Sequence, residues 1–260
     1  MLKSIKGLFT QKEIEQFAKE HGVDMDTLPT KEEINQKTLQ KAFEKNEEKK
    51  RKIYFKHSLW SGNRELNFTF KDWNVDLQTN RDQARALGNQ AFTLAQQLRV
   101  KSFNVVLLGD KGVGKTSLAL AMLSDLKAAK KSVIFVSTAE LLNLINRRYD
   151  DPSLNEKIDR IKRSMIEANV LVLDDFGTEG SMTASGIKPV HKDMQDLMYQ
   201  VANARVDFNN NKVKGATIIT TNNTQSELEQ MYDHKLINRL FPDNAAHQLI
   251  FEGMKGVRNV

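Results

Sequence analysis

Residues 103–117 read FNVVLLGDKGVGKTS. The first part, Phe103–Leu108, is a short apolar run ending at a glycine, and that pattern predicts a buried strand. The second part, Gly109-Asp110-Lys111-Gly112-Val113-Gly114-Lys115-Thr116, fits the spacing G-x-x-x-x-G-K-[ST] and leads into a helix expected from about Gly114 to Ala129. Strand, glycine-rich loop and helix in that order form a phosphate cradle. Glycines at 109, 112 and 114 let successive N–H groups curl toward one anion, and the helix N-terminus adds its partial positive charge. On this pattern Lys115 reaches the β and γ phosphates, and the Thr116 hydroxyl ligates Mg²⁺. The stretch predicts a nucleoside triphosphate site.

Downstream, further apolar runs alternate with helical patterns. Ser132–Val136 (SVIFV), Val170–Leu173 and Ala216–Thr220 (ATIIT) read as strands. Helical patterns cover 139–147, 154–168 and 190–207, and another with a regular apolar stripe starts near Asn80. Strands apolar on both faces that alternate with helices predict a parallel sheet covered on both sides, hence an α/β fold. Val170–Leu173 runs into Asp174 and Asp175. In a parallel sheet that strand end opens on the same edge as the phosphate loop, so Asp174 can hold Mg²⁺ through water and Asp175 can orient and deprotonate an attacking water. The plainer reading of Asp-Asp-Phe-Gly is a turn after a strand. Asn211-Lys212-Val213-Lys214 lacks the Asp of the guanine motif N-K-x-D, which favours ATP over GTP. Asn222, just past the ATIIT strand, offers an amide that can sense the γ-phosphate or hold water, though Asn also favours a turn there. Arg239 and Arg258 flank a further strand expected at 248–251; each is by default a surface arginine and alternatively a neutraliser of γ-phosphate charge.

Composition agrees with a folded domain. The 260 residues are 40% hydrophobic and 28% charged, enough for a packed core. No apolar run approaches the roughly 20 residues of a membrane span, so no membrane partner and a cytoplasmic location are expected. Cysteine is absent, which excludes disulfides, Cys-ligated zinc, iron–sulfur clusters and thiol catalysis. The net charge of +6 is compatible with nucleic acid without requiring it. The expected boundary lies near 66/67: residues 1–66 form a small helical module and linker, with capping boxes at Thr10/Glu13 and Thr30/Glu33, and residues 67–260 form the ATPase domain. The second helix, expected over 31–52, carries only Ile34, Leu39 and Phe43 before the charged run EKNEEKKRK, so its sparse apolar face lacks a partner within the module. The segment Asn67–Val75 (NFTFKDWNV) is rich in aromatic and extended-favouring residues.

Taken together, GDKGVGKTSLA, VLVLDDFG, the Arg of NARVDF ahead of ATIITTNN, LINRLF and a terminal G-x-R resemble the DnaC/DnaI family of replicative helicase loaders. That family belongs to the AAA+ ATPases and includes the transposition helper IstB. The resemblance runs from about Phe68 to Arg258 and implies a five-stranded parallel AAA+ P-loop core. It implies that Gly109 to Ser117 bind ATP, that Thr116 and Asp174 serve Mg²⁺, and that Asp175 supports hydrolysis to ADP and phosphate. It further implies that Asn222 is a first sensor, Arg239 an arginine finger reaching a neighbouring subunit's ATP, and Arg258 a second-sensor-like arginine. Implied partners are a hexameric replicative helicase, gripped by the N-terminal module, single-stranded DNA, and further copies in an ATP-bridged oligomer. The helices before Asp174 match the family's insert along the DNA path and carry Arg147, Arg148, Lys157, Arg160, Lys162 and Arg163, which equally suit a solvated basic face. An IstB-like helper acting on duplex DNA is the alternative, and a small-molecule kinase a third reading. Two features depart from the family: the Cys-rich zinc module of DnaI-type loaders has no counterpart, and Asp175 stands where most AAA+ enzymes have Glu. The shorter acid predicts slow hydrolysis.

Overall fold

The structure, a computed structural model, describes residues 11–22, 31–183 and 186–256. The chain divides into two compact units, 1–48 and 49–260. In the first, α1 spans Gln11–Glu20 and α2 begins at Lys31, ending at Lys56 inside the second unit. On α2, Ile34, Leu39 and Phe43 are all exposed, as a helix with so few apolar positions must leave them.

The second unit is built on five parallel strands: β1 (Val105–Leu108), β2 (Val133–Ser137), β3 (Val170–Asp174), β4 (Ala216–Thr221) and β5 (Gln248–Ile250). Their order across the sheet is β2-β3-β4-β1-β5. The helices are α3 (Arg81–Leu98), α4 (Lys115–Ala128), α5 (Thr138–Arg147), α6 (Leu154–Glu167), α7 (Lys192–Ala204), α8 (Gln225–Met231) and α9 (His234–Leu240). The arrangement is the AAA+ P-loop core expected from the sequence.

Strand periodicity explains the two cores. Val105, Leu107, Phe135 and Val172 point to the α3/α4 side, among Leu94, Leu118 and Met122. Their neighbours Val106, Ile134, Val136 and Leu173 point the other way, among Ile145, Met165, Met198 and Ile237 of α5, α6, α7 and α9. Burial on both faces is why these strands read as unbroken apolar runs. Within this unit the outer edge of β2 is covered by residues just past α2. Leu59 pairs with Val136, its N–H donating to Phe135 O at 2.8 Å, and the Trp60 ring stacks on Phe135 at 4.5 Å.

Several details differ from the expectations. The aromatic segment forms two single 3₁₀ turns, Phe70–Asp72 and Val75–Leu77, because Thr69 and Asp72 cap one and Asn74 caps the other. Helices α8 and α9, and two small antiparallel hairpins pairing 181–183 with 186–188 and 206–207 with 212–213, add to the elements expected. No helix among the described residues is long and apolar enough to cross a membrane.

Candidate functional site

Gly109–Gly114 join β1 to α4, and Gly109, Gly112 and Gly114 take φ values of 148°, 79° and 104°. At Gly114 two constraints coincide, since a Cβ there would lie 2.7 Å from Trp73 Cζ3. The indole is in turn wedged against Gly88 and donates from Nε1 to Ala84 O at 2.9 Å. Gln78, also buried, donates to Val113 O at 3.4 Å and accepts from Lys255 N at 3.2 Å. The phosphate loop is therefore buttressed from outside by residues that carry no sequence motif.

Lys115 is buried at the first turn of α4. Its ammonium donates to Gly109 O (2.7 Å), Asp110 O (2.6 Å) and Asn222 Oδ1 (2.7 Å). Thr116 Oγ1 donates to Asp174 Oδ1 at 2.9 Å, so the two groups expected to serve Mg²⁺ meet. The Thr220 hydroxyl donates to the same Asp174 oxygen at 2.7 Å and accepts from Asp175 N at 2.9 Å. Asp174 is only 2% exposed, whereas Asp175 turns out of the strand in a left-handed conformation, φ 55°. A cavity of about 310 Å³ is lined by Lys111, Lys115, Thr116, Ser117, Asp175 and Asn222, among others. A glycine cradle, the buried Lys115 ammonium, and a hydroxyl beside a carboxylate fit a triphosphate with a hard, oxygen-seeking cation.

The loop after Asp175 is stitched to its surroundings. Thr221 Oγ1 donates to Phe176 O at 2.6 Å, and Phe176 N donates to Thr220 O at 2.8 Å. Thr138 Oγ1 lies 2.7 Å from Glu179 Oε2 and 3.1 Å from Asp175 O. Burial pushes the Glu179 carboxyl up, against hydrogen bonds from Tyr232, Thr138 and Gly177 N that favour its charged form. Tyr232 is raised as well, first by burial and then by the Glu179 charge.

Two expected groups stand apart. Arg239 does not line the cavity of its own chain. Its guanidinium lies over Tyr199 and Phe208, 4.9 and 5.5 Å from the ring centroids, and donates to Lys235 O at 2.8 Å. Arg258 lies outside the described residues. Of the basic side chains on α5 and α6 and beside them, Arg148, Arg160, Lys162 and Arg163 pair with Asp193, Glu156, Asp159 and Glu167. The NARVDF arginine, Arg205, is buried. It donates to Met165 O (2.6 Å), Ala168 O (2.8 Å) and Ala216 O (2.5 Å), tying α6 to β4, and burial pushes it down to about 9.

Residues 31–252 match the family described as IstB-like ATP binding protein. The chain belongs to the IstB-like ATP-binding family. This IstB-like chain is 30% identical over 126 residues to the uncharacterized protein YdaV of Escherichia coli (strain K12), covering 48% of this chain and 46% of that protein. It is 24% identical over 156 residues to the insertion sequence IS21 putative ATP-binding protein of Pseudomonas aeruginosa, covering 60% of this chain and 52% of that protein. The chain thus spans about half the length of the curated relatives it matches. Among solved structures, the crystal structure of DnaI is similar at a TM-score of 0.49 and 22% identity, over 66% of this chain and 86% of that one. The family is one described as ATP-binding, in keeping with the glycine cradle and the Thr116–Asp174 pair.

Proposed function

We propose that this IstB-like chain is a cytoplasmic, slowly hydrolysing ATP switch that loads a hexameric replicative helicase onto single-stranded DNA. The observation that carries the ATP chemistry is the Thr116–Asp174 hydrogen bond at 2.9 Å, made beside the cavity that Lys115, Asp175 and Asn222 share. Backbone amides of Gly109–Ser117 cradle the phosphates, and the Lys115 ammonium exchanges its loop carbonyls for phosphate oxygens. A magnesium ion held near Thr116 and Asp174 would neutralise charge developing on the phosphate oxygens. Asp175 orients and deprotonates the attacking water, and Asn222, already bonded to Lys115, registers whether the γ-phosphate is present. The left-handed, short-armed Asp175 suits a slow, timed step. Arg239, turned away from its own cavity, serves the ATP of an adjoining copy, so that ATP bridges subunits. Arg258 acts as a second phosphate sensor.

The helicase and DNA assignments rest on the family resemblance, and the exposed apolar positions of α2 suit a gripping surface. The second reading, a transposition helper on duplex DNA, is favoured by the insertion-sequence relative. Gel filtration with a cognate replicative helicase, with and without ATP, tests the first: absence of ATP-sensitive co-elution counts against it. Affinities for single-stranded and duplex DNA at one salt concentration separate the two. Asp175→Asn is expected to keep ATP binding and slow hydrolysis by about 10²–10⁴-fold; unchanged turnover rules out the assigned base.

A further inference from the structure

Glu179 is a buried carboxyl that the ATP chemistry does not use. It sits five residues past Asp174, only 9% exposed, and two of its three bonds reach distant parts of the fold. Oε2 accepts from Gly177 N at 3.1 Å, within the acidic loop, and from Thr138 Oγ1 at 2.7 Å, at the start of α5. Oε1 accepts from the Tyr232 hydroxyl, which belongs to the turn between α8 and α9. Burying a carboxylate is costly, and an apolar side chain of similar volume would fill the space at less expense to stability. Its three hydrogen bonds therefore argue for a task beyond packing.

The surrounding contacts say what that task is. The acidic loop lies flush against α8: the Phe176 ring stacks on Tyr232 at 4.7 Å and 8°. Gly177, at φ 99°, lets the loop approach so closely that a Cβ there would lie 2.6 Å from both Asn223 Oδ1 and Leu228 Cδ2. A Cβ on Gly180 would lie 2.8 Å from Met231 Sδ. Asp175, two residues before Gly177, holds a left-handed backbone, φ 55°, that L-residues adopt only at a cost. That conformation persists only if its neighbours are fixed. Immediately after Tyr232, α9 begins, and it carries Arg239.

Resting on the proposed hydrolysis, we propose that Glu179 is a positioning residue that locks the acidic loop to the α8–α9 turn. The backbone setting Asp175 and the helix carrying Arg239 then move as one unit. The geometry of the water-activating acid in one cavity is thereby tied to the arginine offered to the next.

The test uses the full chain in single-turnover hydrolysis of labelled ATP, with ATP affinity and thermal melting measured alongside. Glu179→Gln replaces the charged acceptor with a neutral amide whose N–H₂ must face a hydroxyl turned round to accept, which weakens the link, and Tyr232→Phe removes one donor alone. Both are expected to lower the hydrolysis rate by about tenfold or more, a loss typical of a displaced reacting group. ATP affinity should stay within about twofold of the unmodified chain. The double variant is expected to be no slower than Glu179→Gln, since both changes cut one link. A rate loss matched by an equal loss of affinity, or additive losses in the double variant, overturns the proposal. Should Glu179→Gln fail to fold, Tyr232→Phe still decides. Asp175→Asn separates the two levels: if it hydrolyses normally, the proposed chemistry is wrong. If it is inactive while Glu179→Gln and Tyr232→Phe are unimpaired, only the positioning role is wrong.

Discussion

Gly114→Ala tests whether the phosphate loop depends on its external buttress. The new methyl meets two obstacles. Backbone φ at this position is 104°, where a non-glycine residue is strained by about 1–3 kcal/mol. The Cβ would also lie 2.7 and 2.9 Å from Trp73 Cζ3 and Cη2. The indole has no room to retreat, because a Cβ at Gly88 on its other side would lie 2.8 Å from Cδ1, and Nε1 is bonded to Ala84 O. Overpacking of this kind adds about 1–3 kcal/mol. Even the lower ends sum to about 2 kcal/mol, equivalent to about thirtyfold in Kd. The loop is an irregular connection between two well-packed elements and gives the core only Val113, so it should yield before the fold does, and the loss should appear in ATP affinity. Calorimetric titration with Mg·ATP reads that loss, and a melting curve checks that the fold survives. Trp73→Leu shortens the obstructing ring without touching φ. Measured against its own single variant, it should return about tenfold of the affinity lost to Gly114→Ala. Binding within about threefold of the unmodified chain for Gly114→Ala, or no recovery with Trp73→Leu, refutes the buttress.

Arg205→Met leaves the carbonyls of Met165, Ala168 and Ala216 buried without their donor, and at about 1–3 kcal/mol each it should cost about 3 kcal/mol or more in urea unfolding. An unchanged midpoint contradicts the structural role assigned to this arginine. His57 is held below the usual histidine value, first by burial and then by Arg160 and Lys56, while its Nδ1 lies 2.7 Å from Ser164 Oγ. The unfolded chain therefore takes up the proton first, and stability falls as pH drops from about 6.5 to the lower folded-state value, then levels off. His57→Asn should flatten the fall in melting temperature between about pH 7 and 5; equal slopes would show that another group is responsible. Arg239→Ala should leave ATP affinity of the single subunit intact while turnover in the assembled state drops by about tenfold or more. Turnover that is unaffected at high protein concentration removes the finger assignment.

What the sequence discloses follows from which forces act locally. The runs FNVVLL, SVIFV and ATIIT are recognisable because both faces of each strand are buried, and their observed limits fall within two residues of the expected ones. The phosphate loop and the acidic pair are legible for a related reason: they are polar or glycine residues that abruptly end an apolar run. Helix α8 is only seven residues long, with no periodicity to speak of, yet Thr224 and Glu227 form a capping box that a closer reading finds. Trp73, Thr220, Thr138 and Glu179 are a different matter. A threonine inside a strand, or a glutamate in a turn, has no local signature, and its role exists only once distant segments are brought together. NFTFKDWNV misleads in the same way: its aromatic content suggests extension, but Trp73 is there to fill the gap between Gly88 and Gly114.

The strand order explains why these unsigned residues matter. β4 lies between β1, which feeds the phosphate loop, and β3, which ends in the acids. Leu108 is in register with Thr221, and Leu173 with Ile219, so the end of β4 projects past β3 and stands level with the loop. Its successive polar groups then face both neighbours. Thr220 bonds to Asp174 and Asp175 on one side, and Asn222 bonds to Lys115 on the other. Two residues apart on one strand exit, they cannot be displaced independently. One hydrogen bond at each end, with the backbone of residues 220–222 between them, thus joins Lys115 to the backbone of Asp175. A sheet with β3 beside β1 would place the acids against the loop directly and leave no such intermediary. The inserted strand sets the glycine-rich loop and the acidic turn on either side of one polar strand exit.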